Sequence, residues 1–118
     1  MSAKDRIGWK KAVALKSARQ LIVKLKIIGK VVSPYDDDKH RCLKAKVLGI
    51  YYLNGTRSPA RTCVSACYYT SDEIPKRERL HYTVGKVVTA DGLNLNRSRR
   101  CGQGINFFWD RKRAERYT

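Results

Sequence analysis

The chain has 118 residues, of which 26 are Lys or Arg and 10 are Asp or Glu, so its formal net charge is +16. A chain of this length can bury a core without disulfides or a metal, and we expect residues 1–118 to form a single basic domain. No run approaches the roughly 20 apolar residues of a membrane-spanning helix, and the N terminus lacks a signal-peptide pattern, so we expect no membrane span and synthesis in a cytoplasm.

The first third of the chain predicts one ambiguous segment and one clear strand. From Trp9 to Arg19 the apolar positions fit either an amphipathic helix or a short strand. The run Leu21–Ile28 alternates apolar residues with Lys24 and Lys26, which is the period of a half-buried strand. The two lysines are then either its solvated face or contacts to phosphate groups.

An acidic loop follows this strand, with Asp36, Asp37 and Asp38 in succession. Calcium-binding loops space their oxygen ligands at alternate positions and end on a distal acid, and neither feature is present here. We therefore expect a solvated turn, or a salt link to the basic ends of the chain, rather than a bound divalent ion.

The middle of the chain predicts a β-hairpin. Cys42–Leu53 has strand character, Asn54–Gly55 is the strongest two-residue hairpin signal, and Thr62–Thr70 is rich in β-branched and aromatic residues. We expect these two runs to pair with each other as antiparallel strands.

The last third predicts two further strands and a helix. Leu80–Val88 has strand character interrupted at Gly85, and Ile105–Trp109 follows a glycine turn. Asp110 can cap a short helix whose first turn is basic, where the helix dipole disfavours positive charge, so we expect an acidic partner or the Asp36–Asp38 loop to compensate. Together these elements predict an α+β fold, a compact antiparallel β-sheet of about five strands with a short C-terminal helix.

The four cysteines leave three alternatives open: buried free thiols, at least one disulfide, or a zinc site. An extended strand would hold Cys63 and Cys67 about 13 Å apart, too far for one ion or one disulfide. If a disulfide forms, we expect it to join Cys42 and Cys101. His81 is the candidate base for a cysteine nucleophile, but its place among strand residues favours a structural imidazole. We therefore assign no catalytic residue, metal ligand or cofactor and expect no enzyme.

Charge is the strongest functional signal in the sequence. Both ends of the chain are basic, which predicts a polyanion or an acidic protein surface as the partner. No phosphate-binding loop or nucleic-acid-binding motif accompanies the charge, so nucleic-acid binding rests on charge alone. The residues expected to contact a partner are Lys10, Lys11, Lys24, Lys26, Arg97, Arg99, Arg100, Arg111, Lys112 and Arg113.

Several short motifs occur in order from Gly8 to Tyr117. They are Gly8-Trp9-Lys10-Lys11, Leu21-Ile22-Val23-Lys24-Leu25, Arg41-Cys42-Leu43-Lys44-Ala45-Lys46-Val47-Leu48, Tyr82-x-Val84-Gly85-Lys86-x-Val88, Cys101-Gly102-x-Gly104-Ile105-x-Phe107-Phe108 and Ala114-Glu115-x-Tyr117. In this order they resemble a small uncharacterised domain of bacterial, phage and large-DNA-virus proteins that is often found beside pentapeptide repeats. The chain departs from that pattern at Asn106, where a histidine is usual, and at Cys63 and Cys67.

The resemblance implies a viral context without catalytic residues. Combined with the charge, it predicts a non-enzymatic structural component of a large DNA virus particle, made in the host cytoplasm and located in the virion. In this interpretation the chain is a minor capsid protein that bridges or cements the acidic surfaces of other capsid proteins on the inner side of the shell. The alternative is a basic protein that binds nucleic acid through its Lys/Arg-rich termini. The closing Gly-Ile-x-Phe-Phe pattern also faintly resembles ADP-ribosyltransferase-like folds, but their nicotinamide-binding His and catalytic Glu have no clear counterparts.

Overall fold

The computed structural model describes residues 6–35, 38–65, 79–93, 95 and 104–116. Within these residues the elements follow the order β1 (Ile7–Ala14), β2 (Gln20–Val32), β3 (His40–Tyr52), β4 (Thr62–Ser65), β5 (His81–Thr83), β6 (Val87–Thr89), β7 (Ile105–Phe107) and α1 (Arg111–Arg116).

The predicted α+β class is wrong, because the protein is mainly β. Strands hold 56% of the described residues and the helix 7%, and the strands form a nearly closed, barrel-like antiparallel sheet. A sheet that curls onto itself buries its own apolar face, so it needs no layer of helices to cover it. The described sheet also has seven strands rather than about five.

Three long strands form the frame of the sheet. β1 pairs with β2 and β2 pairs with β3, both antiparallel. β2 buries Val23, Leu25 and Ile27 and turns Lys24 and Lys26 to the opposite face, which confirms the predicted alternation. β1 resolves the ambiguity between Trp9 and Arg19 in favour of a strand. Register shifts between β2 and β3 bend this pair, since a bulge increases local twist.

The inner face of the curled sheet is the main hydrophobic core. It combines residues from all seven strands in one cluster, which comprises Ala12, Leu21, Val23, Leu25, Ile27, Cys42, Ala45, Val47, Ile50, Cys63, Tyr82, Val88, Ala90, Ile105 and Phe107. Burial of this apolar area is the dominant force that holds the sheet closed.

The turn between β5 and β6 brings the two edges of the sheet together. β5 pairs with β4, which pairs with β1, whereas β6 pairs with β3. Within the turn, the Val84 amide donates to the Arg61 carbonyl at 2.9 Å and the Gly85 amide donates to the Val47 carbonyl at 2.8 Å. Gly85 has φ 87°, which favours glycine and fits the predicted interruption of this strand.

β7 joins β3 to β1 at the other end of the sheet. It pairs with His40–Cys42 of β3, and just beyond it Phe108 and Trp9 exchange two backbone hydrogen bonds of 2.7 and 2.8 Å. The sheet is therefore closed by two short connections, the β5–β6 turn at one end and β7 at the other.

The predicted hairpin is correct in its turn and wrong in its partner strand. Gly55 has φ 97° and its amide donates to the Tyr52 carbonyl at 3.0 Å, so Asn54–Gly55 does reverse the chain. The returning chain pairs only at Arg57 with Tyr51 and then leaves β3. β4 pairs instead with β1 and β5, because the edge of β3 is occupied by β6 and β7.

Helix α1 lies on the outer face of the sheet. The Asp110 carboxylate accepts from the Lys112 amide at 3.0 Å, which confirms the predicted N-cap. Ala114, Phe108 and Ile22 form a second small core beneath the helix. None of the described helical residues forms a helix long and apolar enough to cross a bilayer.

Candidate functional site

The register of the strands gathers four lysines on the outer face of the sheet. Residues paired directly across antiparallel strands share a face, and the pairs here are Lys24 with Gly49, Lys26 with Lys46, and Lys44 with Ile28. We call the surface formed by Lys24, Lys26, Lys44 and Lys46 the cationic face.

The positive charge of the cationic face is not balanced within the sheet. β1, β2 and β3 contain no Asp or Glu, and within the described part of the chain none of the four lysines forms an ion pair. Lys26 and Lys46 stand directly opposite each other, an arrangement that destabilises a sheet through like-charge repulsion. An anion placed between the two ammonium groups would remove that penalty.

Aromatic rings and arginines border the cationic face on the side of α1. The Trp9 and Tyr51 rings lie 6.2 Å apart, and the Arg111 guanidinium carbon lies 5.1 Å from each ring centroid. Lys24 lies 5.7 Å from the Trp9 ring, and Arg57 lies 5.9 Å from the Tyr51 ring. Trp9, Tyr51, Arg57 and Arg111 form what we call the arginine–aromatic cluster, in which ring faces hold the cations in place.

Gly49 allows the Tyr51 ring to lie close against β3. A Cβ atom at Gly49 would stand 3.0 Å from Tyr51 Cε2 and 3.2 Å from its hydroxyl oxygen. Because Gly49 pairs with Lys24, the Tyr51 ring lies where the cluster meets the cationic face.

Ion pairs balance two arginines in the basic first turn of α1. Arg113 donates to both Asp38 carboxylate oxygens at 2.7 and 2.8 Å, and Arg111 donates to Glu115 at 3.1 Å. The predicted link to the acidic loop is thus confirmed at Asp38, whereas Asp36 and Asp37 lie outside the described residues.

The structure brings together only some of the basic residues predicted to bind a partner. Lys24 and Lys26 lie on the cationic face, and Arg111 lies at its border. Lys112 is exposed on α1. The predicted Arg97, Arg99 and Arg100 lie outside the described residues.

Lys10 and Lys11 do not contribute to the cationic face. Lys10 pairs with Val23 on the inner face of the sheet and donates to the Asn106 carbonyl at 3.1 Å. Lys11 faces outward but is only 6% exposed, and burial lowers its pKa from the ordinary value of a lysine. A buried ammonium is poorly placed to meet a ligand from solution.

The sequence analysis missed Lys44, Lys46 and Arg57 as members of the site. β3 has lysines at alternate positions, Lys44 and Lys46, just as β2 has Lys24 and Lys26. This pattern indicates that each strand carries its lysines on one face. Only the register between the strands shows that the two pairs are neighbours.

The inner face carries two thiols and a tyrosine hydroxyl. Cys42 and Cys63 are buried free thiols, and burial raises the pKa of each to about 12. Tyr82 is fully buried, burial raises its pKa, and its hydroxyl has no hydrogen-bond partner among the described atoms. Cys67 and Cys101 lie outside the described residues, so the pairing of Cys42 with Cys101 stays a prediction.

Neither nucleophilic nor metal chemistry is assembled in the described residues. His81 is a neighbour in sequence of Tyr82, which pairs with Cys63, so the imidazole and the thiol lie on opposite faces of β5 and β4. The His81 imidazole instead contacts the Arg79 carbonyl at 2.9 Å. No group of three metal-ligating side chains comes together in the part of the chain that is described.

Comparison with protein families gives a match that covers most of the chain. The profile of a family of unknown function, DUF5758, matches residues 2–114. No curated protein and no solved structure matches the chain. The match agrees with the predicted resemblance to an uncharacterised domain.

Proposed function

The chain belongs to the DUF5758 family of unknown function, and we propose from its geometry that it binds the phosphate backbone of nucleic acid through the cationic face. The observation that carries this proposal is the opposed pair of Lys26 and Lys46 within a group of four lysines that form no ion pair with a described residue. A folded protein with like charges paired across two strands is stabilised by a ligand that carries negative charge at regular intervals. Phosphodiester chains have that property.

The arginine–aromatic cluster supports the same function. Arg57 and Arg111 lie beside the lysines and are held against Tyr51 and Trp9. A guanidinium group can donate two hydrogen bonds to one phosphate. An arginine side chain that is already held in one orientation loses less conformational entropy on binding than a mobile one. Arg111 is partly neutralised by Glu115, which leaves Arg57 as the stronger contributor.

Salt dependence tests the proposal. If about five phosphates are neutralised, affinity for a mixed-sequence single-stranded oligonucleotide should fall about 100-fold between roughly 50 and 200 mM salt. We would measure this by fluorescence anisotropy with a labelled oligonucleotide. The triple variant K26Q/K44Q/K46Q should bind more weakly, and the slope of log affinity against log salt should become shallower by about 2.

A matched variant separates this face from the overall charge. K16Q/R61Q/R116Q also removes three positive charges, from exposed positions outside the cationic face. It should keep the slope of the original protein. Equal losses in both triple variants, or no binding at low salt, would contradict the proposal.

The predicted viral origin, the pentapeptide-repeat context and the capsid role stay predictions. They are compatible with nucleic-acid binding, because a minor capsid protein on the inner side of a shell faces the packaged genome. In that case the cationic face would contact the genome, and other surfaces would contact capsid proteins. Copurification with intact particles at fixed stoichiometry would support this role, and recovery from infected-cell extract alone would count against it.

A further inference from the structure

We infer that the cationic face takes a single strand of nucleic acid in preference to a duplex, with bases lying on exposed apolar side chains between the lysines. This inference rests on the proposed function and adds the class of nucleic acid. It comes from side chains that phosphate binding alone does not use.

Two aliphatic side chains lie exposed among the lysines. Val87 of β6 pairs with Lys46 and is 55% exposed, and Ile28 of β2 pairs with Lys44 and is 39% exposed. Lys26, Lys46 and Val87 form one row across the strands, and Ile28 and Lys44 lie in the next row, so each row combines lysine with an exposed aliphatic side chain. Such a surface is suited to a ligand that presents charge and apolar area at the same spacing.

A single strand presents both, whereas a duplex presents mainly charge. Base faces in a duplex are stacked inside the helix, so an outward-facing valine or isoleucine would gain little from the phosphate backbone. In a single strand the base faces are free to pack on side chains while the phosphates contact lysines; single-strand-binding proteins use aromatic side chains in this way, and here aliphatic side chains offer the apolar area.

An anionic lipid surface is the competing ligand for a surface of lysines and aliphatic residues. A peripheral membrane site usually inserts a broad apolar face of a helix below the headgroups. Here the two aliphatic side chains stand on a sheet, alternating with lysines in register, so they cannot insert without burying ammonium groups. The geometry therefore favours a single strand.

Three probes of closely matched charge test the inference at about 150 mM salt: a 20-nucleotide oligothymidine, a 10-base-pair duplex and inorganic polyphosphate of similar chain length. Anisotropy competition should show the oligothymidine binding at least tenfold more tightly than either of the others. Vesicles containing phosphatidylserine are included as a fourth probe.

A paired substitution tests the role of the aliphatic side chains. I28T/V87T keeps β-branched side chains on the strands but reduces their apolar area, so the fold should persist, as checked by circular dichroism. Its affinity for oligothymidine should fall several-fold, while affinity for polyphosphate stays unchanged. The control L15T/L53T alters two exposed leucines, Leu15 directly after β1 and Leu53 directly after β3. This control should change neither the affinity for oligothymidine nor that for polyphosphate.

The outcomes separate the two proposals. If no polyanion binds, the proposed function fails. If all three polyanions bind equally and I28T/V87T has no effect, backbone binding stands and the inference is overturned. Tighter binding to the vesicles than to oligothymidine would also overturn it, in favour of a lipid surface.

Discussion

Lys26 and Lys46 face each other across β2 and β3 with no carboxylate among the described residues to separate them. Directly opposed residues in a sheet have Cβ atoms about 5 Å apart, and side chains of like charge at such positions destabilise the sheet. A sequence optimised for stability alone would place a glutamate at one of the two positions. The proposed binding of an anion would account for a pair that stability alone does not explain.

Replacing one lysine of this pair with glutamate should stabilise the protein and weaken nucleic-acid binding. For K46E the repulsion becomes an attraction, and we expect a gain of about 1 kcal/mol, or a rise in Tm of about 4 °C. K26E should raise the Tm by a similar amount, and thermal unfolding of both variants measures the change. The double variant K26E/K46E restores a like-charge pair and should lose most of the gain; a further increase in the double variant would contradict the argument.

The buried thiols make a second prediction at the residue scale, which concerns pH. Burial raises the pKa of Cys42 and Cys63 from 9.0 to about 12, so the folded state keeps protons that the unfolded state releases above pH 9. Stability should therefore be full below about pH 9 and fall as the pH rises towards 12, by about 1 kcal/mol per thiol at pH 10. Burial shifts the pKa of Tyr82 in the same direction.

Urea unfolding at pH 8 and pH 10 measures this effect. C63A should be less stable at both pH values because it leaves a cavity, but its loss between them should be smaller than that of the original protein. An identical loss in C63A would show that the thiol at Cys63 does not contribute.

At the scale of elements, β7 is a short strand with a large structural role. It joins β3 to β1 at one end of the sheet, and its Phe107 packs against Gly8 of β1. A Cβ atom at Gly8 would lie 2.6 Å from Phe107 Cδ2, closer than Cβ atoms approach other atoms, and 3.0 Å from Ile27 Cδ1, which is tighter than most such contacts. The close packing of β7 on β1 therefore depends on a glycine at this position.

Gly8→Ala should destabilise the protein by about 1–3 kcal/mol through overpacking. The smaller side chain in F107L should be destabilising by itself, because it leaves a cavity. In G8A/F107L the two defects offset each other, so the double variant should lose less than the sum of the two single variants, as measured by urea unfolding. Strict additivity would show that Gly8 and Phe107 are not coupled.

At the scale of the whole molecule, the sequence predicted features that depend on neighbouring residues better than it predicted pairing between distant strands. The alternation of β2, the Asp110 cap, the glycine at position 85 and the turn at Asn54–Gly55 each depend on neighbouring residues, and each is found in the structure. The pairing of β4 with β1 and the closure by β7 depend on residues far apart in the chain. No pattern within one strand specifies such partners, so neither the fold class nor the contribution of Lys44 and Lys46 to the cationic face was predicted.

The net charge of +16 makes a final prediction about the molecule as a whole. Self-repulsion destabilises a compact basic protein, and a polyanion that binds only the folded state adds stability by mass action. Polyphosphate at about 100 times its Kd should add about 2.7 kcal/mol to the free energy of unfolding, measured as a rise in Tm.

K26Q/K44Q/K46Q should have a higher Tm without polyphosphate, because repulsion is relieved, and its Tm should rise much less when polyphosphate is added at the same concentration. K16Q/R61Q/R116Q should keep the full gain. If the two variants respond alike, stabilisation comes from the total charge rather than from the register of lysines on β2 and β3.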